Sequence, residues 1–376
     1  MAESTENAPA ASPVRGAKRQ RVEDGSDQQE VAIVQSDKLW LDDGNLVVRT
    51  TSKGPPPMQT LYKIHKRVLA LHCSAFASLF DGPQAAFDIG SQQHEGVPVM
   101  DLPDPPEDVH DFLMALYFPM ETHRHSPITS PVRDGRWNVF PRSYHGILRL
   151  AVKYDSPDIR DLFADLMRAN WPSVLKDWEF LRAQLKACPV LNIPGHRRIS
   201  PIDAIVLAVE CQISDVLPVA FYELSCIADT LRPSDDLDKQ RADYTKSLSM
   251  ITPDQLIKLT IGKGLLKGHL KAFIHQFKSD LLSGACGCML GTCMNKVLDW
   301  WSVQEGSGFS ESDPLVWLHT VVVSCDNVHH RGICDVCQEF IKKVMVAMKE
   351  EVWGKLPDFF GLRDVVSETW GAVAPA

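Results

Sequence analysis

The chain has 376 residues, of which 44% are hydrophobic and 23% charged, and a net charge of -9. That length accommodates two domains with sizeable cores, and the composition is ordinary for a globular protein. The acidic balance excludes a surface that coats nucleic acid by charge alone, and the lack of an apolar run of about 18 residues or of an N-terminal signal pattern predicts neither a membrane span nor secretion.

Residues 1–36 are rich in Ala, Ser, Pro, Gln and Glu. Such a segment buries too little apolar surface to offset its ordering entropy, so a disordered tail is expected there. Within it Lys18-Arg19-Gln20-Arg21 has the form of a short nuclear import signal, with a chance basic triplet as the alternative. Leu46, Val48 and Thr50 alternate with Val47, Arg49 and Thr51, which predicts a strand. Lys53-Gly54-Pro55-Pro56-Pro57 breaks that period before a second strand over Gln59 to Ile64.

From Val68 the period becomes helical, with Leu69, His72, Phe76, Leu79 and Phe80 on one face and Ser74 placed to cap a second short helix. Val97 to Leu102 is a third short strand. Asp104-Pro105-Pro106-Glu107 predicts a helix start with Asp104 as the capping carboxylate, and Val109, Phe112, Leu113, Leu116 and Tyr117 form its apolar stripe. Residues 119–143 read as a surface insertion. Helices resume at Ser143 and at Ser156-Pro157, and everything after Trp171 reads as helical. Ser200-Pro201 and the capping-box pattern Thr252-Pro253-Asp254-Gln255 mark two of the starts, and Arg232 to Arg241 is expected to be a loop.

Asp43-Gly44-Asn45-Leu46-Val47-Val48, Ile64-His65-Lys66-Arg67-Val68-Leu69 and Ser74-Ala75-Phe76-Ala77-Ser78-Leu79-Phe80 together resemble the core of BTB/POZ domains. Val99-Met100-Asp101-Leu102, Ala115-Leu116-Tyr117 and Leu150-Ala151-Val152-Lys153-Tyr154 match the later elements of that fold in order. Cys334-x-x-Cys337 and Trp353-Gly354-Lys355-Leu356-Pro357-Asp358-Phe359-Phe360-Gly361-Leu362 are similar to the expanded BTB family of mushroom-forming fungi. The resemblance implies an α+β BTB domain over residues 37–170 and an all-α region with Cys-rich segments over 171–376. It also implies a protein-interaction role, by homodimerisation or by recruitment of a cullin scaffold as a ubiquitin ligase substrate adaptor. Asp42 and Asp43 would then lie near the dimer surface. The chain departs from better-understood relatives in having no kelch-type repeat, no added β-sandwich and no tandem Cys/His fingers.

No P-loop, His-Glu-x-x-His or Gly-x-Ser-x-Gly motif is present, and Gly262-Lys263-Gly264 has the wrong spacing for phosphate binding. His65 has no nucleophile near it in sequence and reads as a turn or core residue. An enzyme is not expected. Ten cysteines without a signal sequence read as thiols or metal ligands, with Cys73, Cys188, Cys211 and Cys226 as buried small hydrophobes.

Two cysteine clusters carry chemical potential. The first is Cys286, Cys288 and Cys293; the second is Cys334 and Cys337, three apart at a predicted helix start, with Cys325, His329 and His330 nearby. Thiolates at that spacing suit tetrahedral zinc, and reduced thiols packed between helices are the alternative. No other cofactor is expected. The functional reading is an adaptor acting through protein partners, in nucleus or cytoplasm, without direct nucleic-acid or membrane contact. The alternative is a nuclear transcription-associated scaffold, motivated by Lys18, Arg19 and Arg21.

Overall fold

Every strand lies before Pro103 and every later element is a helix among the residues that the computed structural model describes, which are 31–82, 92–119, 140, 143–187, 199–230, 248–284, 287, 291–306, 313–325, 332–368 and 370–371. The chain divides into two compact units. Among the described residues the first runs to Asp161, and the second holds Phe140 and everything from Leu162.

The first unit is built on five strands: β1 Ala32–Trp40, β2 Leu46–Thr51, β3 Met58–Ile64, β4 Gln93–His94 and β5 Val97–Leu102. Their order in the sheet is β1-β3-β2-β5-β4. β2 is antiparallel to β3 and parallel to β5, and β1 runs parallel to β3 at the edge. β1 corrects the expected extent of the tail. Ala32 to Gln35 pair with Met58 to Leu61, and the ladder gives these residues backbone partners that composition alone does not reveal. The import cluster and the rest of the tail lie outside the described residues.

The alternation read in β2 is the one the sheet uses. Val47, Leu61 and Val99 form a buried cluster with Trp40 and Val97 against it, while Val48 stands in register with Tyr62 and Met100. Among the described residues four helices, α1 Lys66–His72, α2 Ser74–Asp81, α3 Pro106–Tyr117 and α4 Ser143–Lys153, accompany the sheet, and α5 Pro157–Asn170 spans the division. Val109, Phe112, Leu113 and Leu116 of α3 are buried as their spacing predicts. On α1 and α2 only Leu69 and Phe76 are fully buried, because the chain breaks at buried Cys73 and restarts.

Two predicted caps do other work. Asp104 is not the cap of α3: its carboxylate accepts from Lys153 Nζ at 2.6 and 2.8 Å and from the Tyr154 hydroxyl. Ser74 is the first residue of α2 instead of its cap, and its hydroxyl donates to the Asp155 carboxylate. Both carboxylates thereby tie the end of α4 to earlier elements.

The second unit is helical: α6 Leu175–Ala187, α7 Pro201–Glu210, α8 Leu217–Thr230, α9 Pro253–Leu282, α10 Gly291–Glu305, α11 Pro314–Cys325, α12 Asp335–Gly354 and α13 Leu356–Phe359, with a short 3-10 turn at Ser214–Val216. Ser200 accepts from the Asp203 amide, and Thr252 and Gln255 form the reciprocal capping box that the sequence predicts. α9 is 30 residues, about 45 Å.

Buried aromatics fill the interior of this unit. Trp178 packs on Tyr222 and Trp353 with ring centroids at 5.9 and 5.4 Å, and Trp301 lies between Phe277 and Trp317 at 4.5 and 5.7 Å. Asp313 caps α11 through the Val316 amide at 3.2 Å and accepts from Arg182 and from Tyr222, both at 2.6 Å. No described helix is long and apolar enough to cross a membrane. The residues 120–139 of the expected insertion and the expected loop at 232–241 lie outside the described residues.

Candidate functional site

In the first unit, the residues that carry the sequence motif build turns. Gly44 follows β1 at a point where the backbone of Lys63 and Ile64 crosses: a Cβ there would stand 2.9 Å from the Lys63 carbonyl carbon. Asn45 donates its amide to the Ile64 carbonyl at 2.9 Å, and its side-chain oxygen accepts from the Lys66 amide at 2.9 Å, satisfying the first donor of α1. His65 sits at the cap of that helix. Its backbone N–H donates to the Tyr117 hydroxyl at 2.8 Å, its ring stacks on Tyr117 at 6.1 Å, and its Nε2 lies 3.1 Å from the Asp43 carboxylate. Burial pushes the Tyr117 hydroxyl above its ordinary pKa, so it stays protonated.

The exposed large apolar residues of this unit are Ile33 and Val34 on β1 with Val31 just before it, Met58 on β3, Leu71 on α1 and Leu79 on α2. Among the described residues β1 hydrogen-bonds to β3 on one side and ends the sheet. Ile33 and Val34 are successive residues and so point to opposite faces, yet they are 42% and 40% exposed. A long edge strand with apolar residues uncovered on both faces is a surface for pairing with another chain.

In the second unit the fold brings together three of the five cysteines proposed as metal ligands. Cys293 lies in the first turn of α10; Cys334 occupies the N-cap position of α12, and Cys337 lies in its first turn. Their sulfurs all lie within 4.8 Å of one another, so the set could hold a metal ion. The sequence separation of 41 between Cys293 and Cys334 is closed by the fold. The Cys334 backbone N–H donates to Cys293 Sγ at 3.2 Å, joining the two helix starts directly. Cys293 and Cys337 are buried and Cys334 is half-buried, and none of the three is in a disulfide.

Cys286 and Cys288, with His329 and His330, lie outside the described residues. Cys325 ends α11 and is buried. Cys73, Cys211 and Cys226 are buried as expected, and burial raises the Cys73 thiol to about 11, so it remains protonated and inert. Cys188 lies outside the described residues.

Two residues beside the cysteines were not singled out from sequence. Gly332 has φ +72°, a left-handed conformation suited to glycine, two residues before Cys334. Lys296, one turn along α10 from Cys293, reaches the Gly332 carbonyl at 3.5 Å. The available signals were the spacing Cys293-x-x-Lys296 and a glycine placed just ahead of a Cys-x-x-Cys.

The second unit also has a cleft of about 550 Å3 lined by Val209, Leu217, Phe221 and Leu362 together with Asp254 and Lys258. Its two charged residues pair with each other at 3.3 Å. Comparison of the chain with protein-family models, with curated proteins and with solved structures finds no match.

Proposed function

We propose that this protein is an interaction and adaptor protein whose first unit is a BTB-type domain that pairs with a second copy of the chain. The observation that carries the reading is β1, an edge strand of nine residues with Ile33 and Val34 uncovered on opposite faces. Such an edge presents backbone donors and acceptors in a row, and a second chain satisfies them while burying the apolar side chains. The central hairpin of β2 and β3, the parallel β5 and the flanking helices are compatible with the implied fold. Gly44, Asn45 and His65 have structural roles, which leaves the exposed surface as the place for function.

Sedimentation of the purified full chain tests the proposal. A dimer that Ile33→Lys with Val34→Lys converts to monomer is the expected result, because two charges on a pairing edge block it. A monomer at tens of micromolar, or a dimer indifferent to the double substitution, overturns the assignment of β1. Recruitment of a cullin scaffold is the adaptor step, read by co-purification of the tagged chain. A nuclear scaffold role is the second reading, favoured by Lys18-Arg19-Gln20-Arg21. It predicts nuclear accumulation that replacing Lys18, Arg19 and Arg21 with Ala abolishes.

A further inference from the structure

We infer that Cys293, Cys334 and Cys337 are protein ligands of a structural zinc ion that fastens the first turn of α10 to the first turn of α12. Three observations carry this assignment, and none depends on the first unit.

The first is geometry. Zinc–thiolate bonds of about 2.3 Å at tetrahedral angles set the sulfurs about 3.8 Å apart. The three sulfurs lie within 4.8 Å of one another. Shifts of about 1 Å or less along each edge, within the reach of small side-chain rotations, close the set on an ion. One coordination position is left for a ligand other than these three, as four-coordinate structural zinc requires.

The second is electrostatics. Cys334 and Cys337 occupy the cap and first turn of α12, and Cys293 occupies the first turn of α10, so each sulfur sits where helix amides favour negative charge. The Cys334 amide hydrogen points at Cys293 Sγ from 3.2 Å. An N–H directed at a sulfur stabilises the thiolate in the manner of the hydrogen bonds that surround metal ligands. Three thiolates and Zn2+ sum to a charge of about -1, and Lys296 places a positive charge beside Gly332, two residues before Cys334.

The third is burial. Cys293 and Cys337 are 2% and 1% exposed. Soft sulfur donors select zinc over magnesium or calcium, and a dry surrounding shell shields a bound ion from solvent. The half-buried Cys334 leaves the ion an entry path. Loading exchanges the thiol protons for the metal, so three protons leave as the three Zn–S bonds form, and occupancy falls as the pH is lowered.

The test is elemental analysis of the full-length protein purified under reducing conditions, followed by replacement of zinc with Co2+. The expected result is one zinc per chain and an intense thiolate-to-cobalt charge-transfer absorption. Single substitutions Cys293→Ser, Cys334→Ser and Cys337→Ser are each expected to weaken zinc binding by at least about 100-fold, since even loss of an outer hydrogen-bonding partner weakens metal sites by about 10- to 100-fold. Cys226→Ser, in the buried interior of α8, should leave binding unchanged. Wild-type protein read directly by chelator-triggered zinc release keeps the test valid if a variant fails to fold. Wild-type protein without zinc, zinc retained by the triple serine variant, or a Cys334–Cys337 disulfide in the reduced preparation would each overturn the assignment.

Discussion

Three glycines on one helix provide a sign test of the packing in the second unit. Gly262, Gly264 and Gly268 all lie within α9, where each glycine costs about 1 kcal/mol relative to alanine. Their surroundings differ. A Cβ on Gly264 or Gly268 meets nothing within 4 Å, whereas one on Gly262 would enter the ring of Phe360. That ring is fully buried and packs on Phe221 at a centroid distance of 5.7 Å, so it cannot swing aside. Overpacking of this kind costs about 1–3 kcal/mol. After the propensity gain is subtracted, Gly262→Ala should destabilise the unit by up to about 2 kcal/mol, while Gly264→Ala and Gly268→Ala should each stabilise it by about 0.5–1 kcal/mol. At about 2–4 °C per kcal/mol for a unit of this size, the melting temperatures move in opposite directions. Urea unfolding followed by tryptophan fluorescence reads the difference, since Trp178 and Trp353 lie in the same interior. A smaller side chain in Phe360→Leu should restore part of the loss in Gly262→Ala. Gly262→Ala as stable as Gly264→Ala would refute the close approach of α9 to Phe360.

Asp313→Ala removes the partner of Arg182 and Tyr222 together with the cap of α11. Burial works against the Arg182 charge and Asp313 holds it up, so loss of the carboxylate should cost about 3–4 kcal/mol, with a non-additive cycle against Tyr222→Phe in chemical denaturation. Asp111 in α3 is raised to about 6, first by burial and then by Asp108 and Glu107. A raised carboxylate means the folded state binds more protons than the unfolded one between about pH 4 and 6, so stability falls as pH rises through that window. Asp111→Asn should therefore stabilise by about 1 kcal/mol near pH 7, after discounting for its solvent-facing half, and should be neutral below about pH 4, as read by urea midpoints at the two pH values. Thr252→Ala opens the capping box of α9 and should cost about 1 kcal/mol, with faster amide exchange in the first turn of that helix.

The elements set by local chemistry were legible in the sequence. β2, β3 and β5 follow from alternation and turn residues, and the starts at Ser200 and Thr252 follow from hydroxyls placed before proline and three residues ahead of an acceptor or donor. Elements defined by distant partners were not. β1 is a strand through its pairing with Met58 to Leu61, and nothing within residues 32–36 announces that partner. Asp104 and Ser74 have the right chemistry for caps, but the fold offers them Lys153, Tyr154 and Asp155, about 50 to 80 residues away, and those bonds prevail. The cysteine set shows the same limit. The Cys-x-x-Cys at a helix start could be read locally, whereas the addition of Cys293 depends on how α10 and α12 meet. Spacing alone rules out phosphate binding at Gly262, and its reason for being glycine is Phe360, nearly a hundred residues on.

The two functional readings rest on disjoint residues in different compact units, which allows them to fail separately. β1 belongs to the first unit, and Cys293, Cys334 and Cys337 belong to the second. The Val47, Leu61 and Val99 cluster that anchors the sheet uses no residue of the second unit. Substitutions without shared partners normally add in their effects. Ile33→Lys with Val34→Lys should therefore abolish self-association while leaving one zinc per chain, and Cys293→Ser should lose zinc while remaining dimeric. Sedimentation and elemental analysis of the same preparations read both outcomes. If the cysteine variant became monomeric while keeping its helical circular dichroism, dimerisation would belong to the helical unit, and β1 would need another partner.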